Sequence, residues 1–157
     1  FEPLGVATAF DEAHGSVVLT RREQPAEVQA ERYEADMSNV PDLAQTLAVT
    51  CAMLRRPFRL TGLQTLRIKE TDRLEALRNE LSKLGIAACI KGDESLSVES
   101  YPAPCPEWNG TPIATYRDHR MAMAFAPAAL RVPGLTIADP EVVSKSYPAF
   151  WRDLEAL

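Results

Sequence analysis

The sequence predicts an α/β (α+β) chain assembled from a repeated set of strands and helices. "LGVATAFDEAHGSVVLT" (4–20) is echoed by "LGIAACIKGDESLSVES" (84–100), each a short apolar run, an acidic turn and a second alternating run, which is the pattern of a β-hairpin. An apolar helix follows each, "PDLAQTLAVTCAML" (41–54) and "DHRMAMAFAPAAL" (118–130), and then a strand, "PFRLTGL" (57–63) and "GLTIADP" (134–140). A lysine, Lys69 or Lys145, then stands just ahead of a further helix. Corresponding residues such as 4 and 84, or 69 and 145, lie about 76 to 80 apart, too long for a solenoid repeat. Two copies of an α/β unit account for the spacing.

In chain order, the first helix has Ser38 and Asn39 as capping candidates, Pro41 near its first position, and Leu43, Leu47 and Leu54 expected to face inward. The second carries Leu74, Leu77, Leu81 and Leu84 at helical spacing and stops at Gly85. "YPAPCPEWNGTP" (101–112) is proline-rich and reads as surface loop. The helix over 118–130 is apolar nearly all round, which predicts a central, buried position, and Pro127 should kink or end it. The terminal "YPAFWRDLEAL" is a short amphipathic helix with Pro148 in its first turn.

Composition narrows the function. With 157 residues, 46% hydrophobic and 25% charged, the chain can bury a real core. No apolar run reaches membrane-spanning length, and no signal peptide opens the sequence. The net charge of −5 argues against nucleic acid as a partner, so an anionic ligand would need a local cationic cluster. Cys51, Cys89 and Cys105 lack metal-site spacing; Cys51 reads as a small core residue, and a reducing cytoplasm is expected. The chain opens at Phe1, and "FEPLG" resembles the last turn of a helix, so a segment of a longer protein is expected.

Within "LRIKETDRLEALRNELSKLG" (66–85), Lys69, Glu70, Asp72 and Arg73 gather at the start of the helix. A cation there opposes the macrodipole, which favours anions by roughly 0.3–1 kcal/mol. The same happens at His119 and Arg120, and Lys145 precedes a third helix. Free N–H groups and guanidinium groups aimed at one place bind phosphate or carboxylate. Surface ion pairs are the competing explanation, Arg73 with Glu70 or Asp72 and Arg120 with Asp118. Asp42, also at a helix start, could simply favour the dipole. Glu70, between Lys69 and Arg73, is either a general acid or base or a balancing charge. His119 could carry a proton or serve as a structural hydrogen bonder.

The strings "LRIKETDRLEALRNELSKLG" and "IATYRDHRMAMAFAPAAL" closely resemble the two signature segments of the 5-enolpyruvylshikimate-3-phosphate synthase family. "SNVPDLAQTLAV" and "IADPEVVSKSYPAFWRDL" fit it in order and spacing. The resemblance implies the C-terminal domain of a two-domain enolpyruvyl transferase fold built of βαβαββ-type units. Residues 1–35 would be a partial unit, about 36–100 and 101–157 repeat-like units, and the N-terminal domain would be missing.

It further implies transfer of the enolpyruvyl group of phosphoenolpyruvate to the 5-hydroxyl of shikimate 3-phosphate, releasing phosphate, with neither metal nor organic cofactor. By motif, Asp42 would accept the proton of the attacking hydroxyl, and Glu70 would donate a proton or share in that exchange. Lys69 and Asp42 would bind shikimate 3-phosphate. Arg73, Arg120 and Lys145 would hold phosphoenolpyruvate, with His119 close by. The chain departs from the family at Thr65, where asparagine contacts the sugar-like substrate, at Pro127, and in "SKSYP" for "KTFP". The segment alone is expected to turn over little or nothing. The alternatives are UDP-N-acetylglucosamine enolpyruvyl transferase and a non-catalytic anion-binding module of the same fold.

Overall fold

Short apolar runs on either side of the turn "DEAHG" fold residues 6–21 into an antiparallel hairpin in a computed structural model that describes residues 1–22, 31–102 and 108–156. Its strands are β1 (Val6–Asp11) and β2 (Ser16–Arg21), with Val6 opposite Arg21. Phe10, Val17, Val18 and Leu19 of this hairpin are all exposed. A single 3-10 turn, Glu2–Leu4, precedes it and is ended by Gly5 in the left-handed region.

The remaining strands form one sheet in the order β3 (Tyr33–Asp36), β4 (Phe58–Thr61), β6 (Ser95–Val98), β5 (Cys89–Lys91). The β3–β4 pair is parallel and the other two are antiparallel. Helix α1 (Ala44–Met53) joins β3 to β4, as a parallel pair requires, and α2 (Arg73–Lys83) joins β4 to β5. The succession β3, α1, β4, α2, β5, β6 is therefore a βαβαββ unit. Strand β3 has no counterpart among the sequence expectations, because "YEAD" is four residues long and half acidic.

The core lies between sheet and helices. Phe58, Leu60, Leu96 and Val98 meet Leu74, Leu77 and Leu81 of α2, all fully buried. Helix α1 differs from expectation: Leu47 is inside, but Leu43 and Leu54 are exposed, and the buried face is Ala44, Ala48, Cys51 and Ala52. Small residues face inward because α1 packs directly on α3 (His119–Phe125), itself buried through Met121, Ala122, Ala124 and Phe125. Burial pushes the Cys51 thiol up to about 12, although Arg56 draws it down, so this sulfur is inert. Cys89 is free and exposed, and Cys105 lies outside the described residues. Capping by Ser38 or Asn39 does not occur: the first turn, Pro41–Leu43, follows Val40, and Ser38 instead bonds Asp36.

In the second copy one helix breaks at Pro127 as expected, and one strand is shorter than predicted. The helix over 118–130 is α-helical only to Phe125 and continues as a 3-10 turn, Ala126–Leu130, because Pro127 supplies no N–H. The strand expected over 134–140 is reduced to a single parallel bridge, Ile137 with Ile113, since Pro133 and Pro140 bracket the segment. A further 3-10 segment, Pro140–Lys145, packs on α3, and helix α4 (Phe150–Glu155) follows with Pro148 just ahead of its first turn.

Gly62, after β4, has φ +72, and a Cβ there would stand 2.5 Å from Asp36 Oδ1 and 2.6 Å from the Ser38 backbone nitrogen. This close approach seats the 36–38 turn that leads into Pro41–Leu43. The G62A variant is expected to lose about 2 kcal/mol or more of unfolding free energy. Urea denaturation would show a lower midpoint at unchanged slope.

Candidate active site

Three helix beginnings meet at one guanidinium. Asp72 caps α2 by accepting from the Glu75 N–H at 3.2 Å, and Arg67 Nη1 holds the same carboxylate at 2.7 Å. The next residue, Arg73, turns inward and is 1% exposed. Its Nε donates to Asp118 Oδ2 at 2.6 Å, Nη1 to Asp42 Oδ1 at 2.7 Å, and Nη2 to Glu70 Oε2 at 2.8 Å and Asp118 Oδ1 at 3.3 Å. Asp118 is fully buried and caps α3, accepting from the Arg120 N–H at 2.9 Å. One arginine thus ties the starts of α2 and α3 to the turn that begins α1.

Asp42 is the second focus. Besides Arg73, it faces Arg120 Nη2 at 3.3 Å and Lys69 Nζ at 3.5 Å. Burial pushes its carboxyl up, but Arg120, Lys69 and Arg73 outweigh burial and hold it below the usual carboxylate value. Burial likewise opposes charge on Arg73, and the bonds and charges of Asp118, Glu70 and Asp42 more than restore it, raising its pKa. The stability that Asp42 adds is present above its unfolded value near pH ~4 and is lost as pH falls through the lower folded value. In a carbon-13 titration, the Asp42 carboxyl is expected to show a midpoint below that of an ordinary aspartate. Lys69→Ala should move that midpoint upward.

Of the sequence candidates, Asp42, Lys69, Glu70, Arg73 and Arg120 form one connected cluster. His119 opens α3 beside Arg120, and its Nδ1 is buried without a hydrogen-bond partner among the described residues. Lys145 is exposed and donates to the Arg117 carbonyl at 3.2 Å, one residue from Asp118, without joining the carboxylates. Of the surface ion pairs weighed above, only Arg73 with Glu70 is present. Asp72 is engaged by Arg67, and Asp118 receives the backbone of Arg120. Sequence reasoning missed Asp118 as a buried member; a cap aspartate reads the same in sequence whether water or an arginine covers it. An apolar cavity of about 210 Å³ lined by Met53, Tyr101, Trp108 and Val132 holds none of these charged groups.

Arranged this way, the cluster has three cations (Lys69, Arg73, Arg120) against three carboxylates (Asp42, Glu70, Asp118), with an acid–base candidate partly open to solvent on either side of Arg73. Fold and site together define a βαβαββ-type α/β protein with a charged centre at convergent helix starts. The family model described as EPSP synthase (3-phosphoshikimate 1-carboxyvinyltransferase) matches residues 7–154, and the chain belongs to that family. It is 50% identical over 155 residues to a 3-phosphoshikimate 1-carboxyvinyltransferase of Bacteroides fragilis, covering 98% of this chain and 36% of that protein. A Rhizobium etli protein of the same name is 40% identical over 124 residues, covering 79% and 30%. The EPSP synthase structure from Acinetobacter baumannii superposes with a TM-score of 0.63 at 29% identity, over 74% of this chain and 27% of that one. The chain thus spans about a third of the length of these relatives. No helix among the described residues is long and apolar enough to cross a membrane.

Proposed function

We propose that this chain supplies part of the active site of a 3-phosphoshikimate 1-carboxyvinyltransferase, acting in the cytoplasm together with an N-terminal domain of the same protein. The supporting observation is the meeting of Lys69, Arg73 and Arg120 on the single carboxylate of Asp42. Both proposed substrates are polyanions, and such a centre offers them fixed cations. In the reaction, the 5-hydroxyl of shikimate 3-phosphate adds to C2 of phosphoenolpyruvate as C3 gains a proton. The tetrahedral intermediate then loses a C3 proton and phosphate, leaving the enol ether.

Asp42 takes the hydroxyl proton and Glu70 exchanges the proton at C3, each worth about 10²–10⁴-fold. Left alone, Asp42 is a weak base because three cations surround it. Arriving phosphates and carboxylate share those cations, and Asp42 then becomes basic enough to act. Lys69 and Asp42 bind shikimate 3-phosphate; Arg120 and Lys145 bind phosphoenolpyruvate, with His119 beside them. Arg73 joins phosphoenolpyruvate once Asp42 or Glu70 releases one of its nitrogens.

The test is phosphate release by the full-length protein from phosphoenolpyruvate with shikimate 3-phosphate, run beside UDP-N-acetylglucosamine as acceptor. Turnover with shikimate 3-phosphate alone is expected. Turnover only with the nucleotide sugar would transfer the assignment to the other enolpyruvyl transferase. None with either would leave an anion-binding module.

A further inference from the structure

Seven residues beyond Arg73, on the same face of α2, a second buried charge reaches toward α3. Glu80 is 1% exposed, yet its carboxylate is fully engaged. Oε2 accepts from Lys83 Nζ at 2.6 Å and from the Ala114 N–H at 2.8 Å, and Oε1 accepts from the Tyr116 hydroxyl at 2.7 Å. Lys83 also donates to the Pro112 carbonyl at 2.8 Å. Burial, reinforced by Glu80, pushes the Tyr116 hydroxyl up to about 12, so it remains a donor at any physiological pH. None of these residues belongs to the charge cluster around Asp42.

What they hold is a strained piece of backbone. Tyr116 and Arg117 are consecutive non-glycine residues in the left-handed region, at φ 54 and φ 59, immediately before the buried cap Asp118. Such conformations persist only where their surroundings over-determine them. Here the approach is fastened at almost every residue. Ile113 bridges to Ile137, Ala114 and Tyr116 bond Glu80, the Asp118 N–H bonds the Thr115 carbonyl at 2.9 Å, and Lys145 holds the Arg117 carbonyl.

We infer that Glu80 is a positioning residue: through Tyr116 and Ala114 it holds the strained 116–117 turn so that Asp118 meets Arg73 and the first turn of α3 presents Arg120 and His119 to the anion site. Helix α2 acts as a ruler in this arrangement. Positions 73 and 80 are two turns apart, about 10 Å along the axis, and each makes a charged attachment to the segment 114–118. Two such attachments fix an orientation where one would leave a pivot. As a statement about binding phosphoenolpyruvate, the inference rests on the function proposed above; as a statement about the Arg73–Asp118 contact, it does not.

The test uses Tyr116→Phe, which deletes one hydroxyl, alongside Glu80→Gln, which keeps a single acceptor oxygen, both in the full-length protein. The Nε–H of Arg73, sealed against Asp118, serves as a hydrogen-exchange reporter by NMR, and the Leu81 amide of the same helix reports general loosening. In both variants Arg73 Nε–H exchange is expected to accelerate about tenfold or more while Leu81 stays within about twofold. KM for phosphoenolpyruvate should rise about tenfold with kcat within about threefold. Equal acceleration at Arg73 and Leu81, no change at either, or an unchanged KM in variants of an active parent would overturn the inference. Should Glu80→Gln fail to fold, Tyr116→Phe alone decides. A parent without turnover would overturn the proposed reaction, and the exchange comparison would then decide the positioning role by itself.

Discussion

Arg73→Ala is expected to lower the unfolding free energy by about 3–5 kcal/mol, a loss typical of removing one partner from a buried ion pair. The arginine side chain is 1% exposed and Asp118 is fully buried, so truncation strands a carboxylate where water cannot reach it. It also frees Asp42 and Glu70 from their shortest cationic contacts. Lysine is a poor substitute. Its single ammonium group cannot donate in the planar fork that serves Asp118, Asp42 and Glu70 at once, so Arg73→Lys should recover less than half of the loss. Urea denaturation followed by circular dichroism would check both values. An Arg73→Ala protein within about 1 kcal/mol of the parent would show that the three carboxylates find other partners.

The second large effect is on turnover. Glu70→Gln preserves shape and the ability to accept from Arg73 Nη2, so folding should be little changed. It removes the only ionisable function at that position. If Glu70 moves a proton to or from C3 of phosphoenolpyruvate, kcat of the full-length protein should fall by about 10²–10⁴-fold with a much smaller change in KM. Retention of parental kcat would take Glu70 out of the chemistry and leave it as a partner of Arg73. The contrast between the two variants is informative: neighbouring members of one ion cluster are expected to fail in different ways, one by unfolding and one by inactivity.

Patterns with a strong period were readable in advance. The two hairpins, the leucine face of α2 and the burial of α3 follow from alternation, from spacing and from a helix with no polar side. What escaped was set by neighbours. Cys51 was expected inside and is, but the rest of the inward face of α1 is alanine because α3 lies so close, and nothing within "PDLAQTLAVTCAML" announces that Ala44, Ala48 and Ala52 displace Leu43 and Leu54. Strand β3 is short and acidic, and the bridge at Ile137 sits between prolines that stop it from lengthening. At the site, charges crowded at helix starts were visible as an oddity. The burial of Arg73 and Asp118 was not, since both residue types ordinarily face water. Glu80 was equally hidden, looking from sequence like one more acid on a solvated helix face.

The equal tally of three positive and three negative side chains in the cluster that includes Asp42 has a consequence for the proposed binding of anions. Carboxylates tethered within the chain compete with any visitor at an enormous local concentration. Chloride or acetate, offering one charge through one contact, has little to trade for the contacts it would break. A molecule that carries two or more anionic groups on a rigid frame can replace several internal partners in a single event. If the cluster takes its ligands as proposed, electroneutrality would work as a valency filter, latching it against the ions that abound in any cell and opening it to the rarer solutes with several anionic groups.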